Sequence, residues 1–224
     1  MKYEIIGQTV PAVEISLASG ESVYTQSGGM TWQTDGLSMK TNARGGLKKT
    51  LGRMFSGESL FMVSYTAEKE GAKVAFAATM PGVILPVDLS GGKTLIAQKG
   101  AFLCAEQSVD LSVTFTKKLS AGFFGGEGFI LEKLSGNGIA FLEVDGDMIE
   151  KELAPGEVLK VDSGNVVAFD STVSYEIETV KGLGNILFGG EGLFLTKLTG
   201  PGKVILQTLN LSSFLGSIAS GNAD

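Results

Sequence analysis

The chain has 224 residues, a net charge of −6, no histidine and one cysteine, Cys104. An acidic chain without a clustered Lys/Arg face is a poor nucleic-acid binder, and the lack of histidine removes the commonest general base and zinc ligand. A lone cysteine excludes an intramolecular disulfide, while 32 glycines, 5 prolines and 43% hydrophobic residues suit a core of short strands joined by tight turns.

The elements run as follows. Residues 2–6 and 12–17 are β-rich runs separated by Gly7 and Pro11, and 21–25 and 30–33 follow around Gly28-Gly29. Residues 38–46 are polar and read as an exposed connection. Strands are predicted at 60–66 and 73–79 around the turn Glu68-Lys69-Glu70-Gly71, then at 83–89 after Pro81-Gly82. Further strands are predicted at 93–98, 101–105, 109–116, 129–134 and 139–144, with Asp145-Gly146 as a hairpin signal. The last third repeats the pattern at 157–161, 166–169, 172–180, 192–198 and 203–209, with Gly200-Pro201-Gly202 as a turn. A short helix is expected only in the tail at 211–219, itself a candidate contact for another subunit. Strands 203–209 and 2–6 are expected to lie side by side and close the sheet edges.

Three stretches are variants of one another: Phe55-Ser56-Gly57-Glu58-Ser59-Leu60-Phe61, Phe124-Gly125-Gly126-Glu127-Gly128-Phe129-Ile130 and Phe188-Gly189-Gly190-Glu191-Gly192-Leu193-Phe194. Lys48, Lys117 and Lys181 each stand seven residues before the aromatic. Upstream, Leu17, Leu89 and Leu153 precede Gly20, Gly92 and Gly156 by three residues, and Gly28, Gly100 and Gly164 follow these by eight. Recurrence at nearly constant offsets marks internal repeats. It predicts one all-β domain, 1–224, built of three units at about 17–80, 89–144 and 153–209 around a pseudo-threefold axis.

Ser90-Gly91-Gly92-Lys93-Thr94 ends like a phosphate-binding loop, but Val87 stands where that motif needs its first glycine, and a strand pattern follows instead of a helix. The sister sites are Gly20-Glu21 and Gly156-Glu157, so a tight turn is the better reading. The candidate site residues are therefore Lys48, Glu58, Lys117, Glu127, Lys181 and Glu191. The three glutamates either converge on a cation or basic ligand, or each is satisfied within its own turn or by its own unit's lysine. The flanking aromatics are either core or an exposed apolar patch. Cys104 lies among apolar residues and reads as an inert buried thiol.

The Phe-Gly-Gly-Glu-Gly-Phe loops, the Gly-Glu turns and the Gly100-Ala101-Phe102-Leu103 strand resemble the bacterial and archaeal relatives of the mitochondrial biogenesis protein called altered inheritance of mitochondria 24. Ser56 and Ser59 depart from the glycines of that loop. The resemblance covers almost the whole chain and implies a compact all-β fold similar to the tryptophan RNA-binding attenuation protein, a double-stranded β-helix or sandwich with internal threefold pseudosymmetry. It also implies a link to membrane organisation and supplies no catalytic residue.

The expected function is a non-enzymatic scaffold or binding protein in a membrane-associated assembly. The alternative is a small-molecule binder of attenuation-protein-like fold, with RNA disfavoured by the charge. No catalytic residue, metal or cofactor is expected. The expected partners are further copies of the chain and a protein or membrane surface. With no charged n-region and apolar run at Met-Lys-Tyr-Glu, and no apolar stretch of spanning length, a cytoplasmic protein, peripheral to the membrane, is expected. If each glutamate serves its own turn, Glu127→Ala lowers stability by about 1–3 kcal/mol, the usual cost of leaving buried donors unpaired. An unchanged denaturation midpoint would favour the ligand-site reading.

Overall fold

A computed structural model describes residues 1–26, 28–43, 61–117, 129–179 and 194–210. Among them there is no α-helix, and the chain is all-β. In order the strands are β1 (Lys2–Ile6), β2 (Ala12–Leu17), β3 (Ser22–Gln26), β4 (Trp32–Gln33), β5 (Leu37–Ala43) and β6 (Phe61–Ala67). Then come β7 (Ala72–Ala77), β8 (Gly82–Asp88), β9 (Leu95–Gln98), β10 (Phe102–Glu106), β11 (Val109–Lys117), β12 (Phe129–Gly136) and β13 (Ile139–Asp145). The last six are β14 (Met148–Leu153), β15 (Val158–Asp162), β16 (Val166–Asp170), β17 (Ser174–Thr179), β18 (Phe194–Thr199) and β19 (Gly202–Gln207).

They form four sheets, ordered β1-β2-β7-β4, β5-β6-β3-β10-β13-β8, β11-β12-β9-β16-β19-β14 and β15-β18-β17. The two six-stranded sheets share one order, each strand of the second being the sixth after its counterpart in the first. They also share a defect. A β-bulge interrupts β10 between Phe102 and Cys104 and β16 between Val166 and Ala168, in both cases against the equivalent partner, β13 or β19. A 3-10 turn precedes each bulged strand, at Lys99–Ala101 and Ser163–Asn165.

The chain divides into two compact units that interleave along the sequence: residues 1–92, 102–110 and 136–143, and residues 93–101, 111–135 and 144–224. In the first, Val13, Ile15, Val74 and Phe76 of the four-stranded sheet share a core with Val23, Tyr65, Cys104 and Phe141 of the first six-stranded sheet. Tyr3 meets the Phe141 ring edge-on at 4.9 Å. In the second, Ile96, Leu131, Phe169 and Val204 pack with Leu198, and Leu159, Val161, Tyr175 and Ile177 of the three-stranded sheet close over them. Central strands are buried on both faces: Leu95–Gln98, Phe102–Ala105, Ala140–Val144 and Val166–Phe169 contain no exposed residue. This is why Phe102–Ala105 and Val166–Phe169 read as continuous apolar runs rather than as alternating ones, while Gln98 and Glu143 are buried polar members of the other two. Cys104 is fully buried, and burial pushes its thiol well above the ordinary range.

Three sequence expectations are corrected. Of residues 38–46, expected as a connection, 38–43 belong with Leu37 to β5, which pairs along its whole length with β6. As an edge strand with exposed Met39 and Lys40, it tolerates a polar composition because its backbone bonds, not its side chains, hold it. Asp145-Gly146 is a tight turn with Gly146 at φ 72°, but not a hairpin, since β13 and β14 lie in different sheets. Strand β19 does not lie beside β1: it is paired on both sides, by β14 and β16, and has no free edge.

Phe141, fully buried, carries the first core. Phe141→Ala is expected to cost about 3–5 kcal/mol, the range for deleting a buried aromatic, measured as a shift in the urea midpoint. A loss under about 1 kcal/mol, the lower end for core truncation, would contradict the packing described.

Candidate functional site

The three glutamate loops fall in segments 44–60, 118–128 and 180–193. Lys48, Glu58, Glu127, Lys181 and Glu191 lie there, outside the described residues, and Lys117 is the last residue of β11. What is described is the frame of each loop. The first segment joins β5 to β6, paired antiparallel from Leu37↔Ala67 to Ala43↔Phe61. The third joins β17 to β18, paired from Ser174↔Thr199 to Thr179↔Phe194. The second joins β11 to β12, neighbours in one sheet. Each segment therefore spans two adjacent strands. Of the apolar residues flanking the loops, Phe129 and Ile130 are core, and Phe194 is half-buried.

The other end of these strands shows why the upstream glycines recur. Gly20, Gly92 and Gly156 have φ of 84°, 83° and 79°, a region glycine enters without penalty. The leucines three residues earlier, Leu17, Leu89 and Leu153, are buried anchors. In two of the turns a carboxylate completes the structure. The Ala18 amide donates to Glu21 Oε2 at 2.8 Å, and the Ala154 amide donates to Glu157 Oε2 at 2.8 Å. The Gly20 and Gly156 amides donate to the carbonyls of Ala67, the last residue of β6, and Gly200, the residue just after β18. The sequence placed the turns but not this carboxylate role. The available signal was a Gly-Glu pair in two cassettes of three, with Lys93 in the third. Ser90–Gly92 form a 3-10 turn followed by β9, so a strand stands where a phosphate loop needs a helix.

The solvent faces of the outer sheets carry cross-strand ion pairs. Lys73 Nζ and the Trp32 indole N–H donate to Glu14 at 2.5 and 3.3 Å, and these bonds, Lys73 first, hold its carboxyl below its ordinary range. Lys160 reaches Glu178 at 2.7 Å and depresses it likewise, and Lys197 reaches Glu176 at 3.4 Å. Among the described residues two glutamates are buried: Glu143, whose Oε2 accepts from both the amide and the hydroxyl of Thr79, and Glu132 on β12 opposite Ala97. Burial raises the Asp145 carboxyl. Among the described residues, no three His, Cys, Asp or Glu groups are placed to hold a metal ion, and no helix is long and apolar enough to cross a membrane.

The family model described as mitochondrial biogenesis AIM24 matches residues 3–209. An uncharacterised protein of Streptococcus pyogenes serotype M6 is 31% identical over 215 residues, which cover 93% of this chain and 85% of that protein. A crystal structure of a Streptococcus pyogenes protein matches at 29% identity with a TM-score of 0.78, covering 98% of each chain.

Glu21 gives a pH test of the turns. The Ala18 amide, and then the Met1 ammonium 2.9 Å away, hold its carboxyl below the ordinary glutamate value of 4.5. A depressed carboxylate contributes its stability fully above that value and loses it as pH falls through the folded one. Melting curves from pH 7 to pH 3 are expected to fall less steeply below about 4.5 for Glu21→Gln than for the parent chain. Parallel curves would remove the assigned role. Glu157→Ala, which strips the sister turn of its acceptor, is expected to cost about 1 kcal/mol, the usual worth of an exposed backbone cap, read from the denaturation midpoint.

Proposed function

The chain belongs to the mitochondrial biogenesis AIM24 family, and from that premise we propose that it is a non-enzymatic scaffold, an all-β protein that presents three glutamate loops to a protein partner or a membrane surface. The observation that carries this reading is the frame just described. Three sequence-related segments each bridge two strands that are adjacent in one sheet. A repeated sequence held on a repeated frame is what a multivalent contact surface requires, since linked weak contacts gain avidity only when geometry lets them engage together.

The same frame supports three homologous units at about 17–80, 89–144 and 153–209, related by a pseudo-threefold axis in the manner of the attenuation protein. The shared strand order, the shared bulge and the three positive-φ glycines all favour it. The proposed setting is the cytoplasm beside a membrane, within a homo-oligomeric assembly.

The test is capture of native partners, and of vesicles by flotation, with the parent chain and with a Glu58→Gln, Glu127→Gln, Glu191→Gln variant of unchanged melting temperature. Capture by the variant is expected to fall at least about tenfold, equivalent to about 1.4 kcal/mol. Equal capture by both would exclude the glutamate loops as the contact.

A further inference from the structure

Gly136-Asn137-Gly138 carries the chain from β12 into β13, and close packing sets its two glycines. A Cβ at Gly136 would collide with the Ser108 carbonyl, and one at Gly138 would stand 2.5 Å from both Glu106 Oε2 and Ser108 Oγ. Gly136 also holds φ at 117°, outside the range of residues with a side chain. The packing against Glu106 and Ser108 thus imposes an Asn-Gly pair. Every other asparagine of the chain precedes a residue that carries a side chain.

Asn137 is exposed. The bonds of the turn fall on the groups around the Gly138 nitrogen. The Asn137 amide donates to the Ser108 carbonyl at 3.4 Å, the Leu89 amide to the Gly138 carbonyl at 3.0 Å, and the Ile139 amide to Glu106 Oε2 at 2.8 Å. The Gly138 N–H itself donates to no described residue. That nitrogen has no acceptor to hold it and no side chain beside it to block its approach to the Asn137 carboxamide. We propose that Asn137-Gly138 is a modification site, at which the folded chain deamidates spontaneously to aspartate and isoaspartate.

The Gly138 nitrogen gives its proton to water or hydroxide and attacks Asn137 Cγ. The new C–N bond forms as the Cγ–Nδ2 bond breaks, the nitrogen leaves with a proton as ammonia, and a succinimide ring closes. Water then opens the ring at one of its two carbonyls, giving aspartate from one and isoaspartate from the other, and nothing is oxidised or reduced. Either product adds a negative charge to a turn that already holds the Glu106 carboxylate. Isoaspartate also routes the main chain through the former side chain and lengthens it between Gly136 and Gly138. The bonds from Leu89 to Gly138 and from Ile139 to Glu106 are then drawn out of register. They hold the start of β13, two residues from Phe141 of the first core.

The test uses the full-length parent chain and Asn137→Gln, an exposed change whose ring closure would need a larger ring. Both are incubated folded, at physiological temperature and mildly alkaline pH, then digested and mapped by mass. Isoaspartate is measured by methyl transfer from S-adenosylmethionine with an isoaspartyl carboxyl methyltransferase. In the parent, the residue-137 peptide is expected to convert several-fold faster than the peptides holding Asn165 and Asn210, and to take up methyl groups. The denaturation midpoint of the incubated parent is expected to fall with conversion. Asn137→Gln is expected to show no methyl uptake at that peptide and to keep its midpoint. Conversion at Asn137 no faster than at Asn165, or equal methyl uptake by variant and parent, would overturn the site. A converted parent with an unchanged midpoint would overturn the effect assigned to the turn bonds.

Discussion

The pairing of β3 with β10, and of β9 with β16, is the constraint on which the rest of the architecture depends. A three-stranded antiparallel piece stands only if it has an apolar face to bury. Fused across these pairs, two such pieces become a six-stranded sheet whose middle strands have backbone partners on both sides. Only then can Leu95–Gln98 or Phe102–Ala105 be buried on both faces without leaving amides or carbonyls unpaired. The bulge just after the 3-10 turn belongs to the same solution. It takes up one extra residue where the chain arrives from the turn and brings Cys104 and Ala168 into register with Phe141 and Ile205.

Much of this was legible because glycine spacing and β-branched runs are local signals. Gly20, Gly92 and Gly156 sit at the same backbone conformation as their spacing suggested, and most strand boundaries fall within two residues of the sequence reading. What escaped was set by pairing between distant segments. Polar β5 is a strand because β6 supplies its hydrogen bonds. Asp145-Gly146 has the chemistry of a hairpin turn, yet β13 and β14 each find a partner elsewhere, and no local signal reports that choice. Among the candidate site residues, the alternation of glycine and aromatic marked the loops, and their frames are paired strands. The Gly-Glu pairs at Glu21 and Glu157 marked turns, but the role of their carboxylates was not legible, because it is played on a backbone amide three residues away and not on a side chain with a sequence signature.

Carboxylates in this chain divide by environment. On the outer sheet faces they meet lysines across strands, as Glu14, Glu176 and Glu178 do, where such pairs add little stability but keep an acidic surface from self-repulsion. In the turns they accept from backbone amides. Inside, Glu143 accepts two bonds from Thr79 on a single oxygen, because a buried charge persists only when such partners meet it. In the sequence each loop glutamate follows a glycine directly and a lysine by ten residues.

The strands that end a sheet carry devices that stop it there. β8 carries Pro86, which removes a donor from its backbone. β14 exposes Glu150, Lys151 and Glu152 in succession, with Glu150 tied to Lys203. β2 is covered by β1, itself marked by exposed Lys2 and Glu4. β5 exposes Lys40, and β17 carries Glu176 and Glu178. Proline, charge and a covering strand are the recognised ways to close an edge. β4 is only two residues long, itself a way to blunt an edge, and β15 carries Lys160, drawn across to Glu178, and Asp162 at its end.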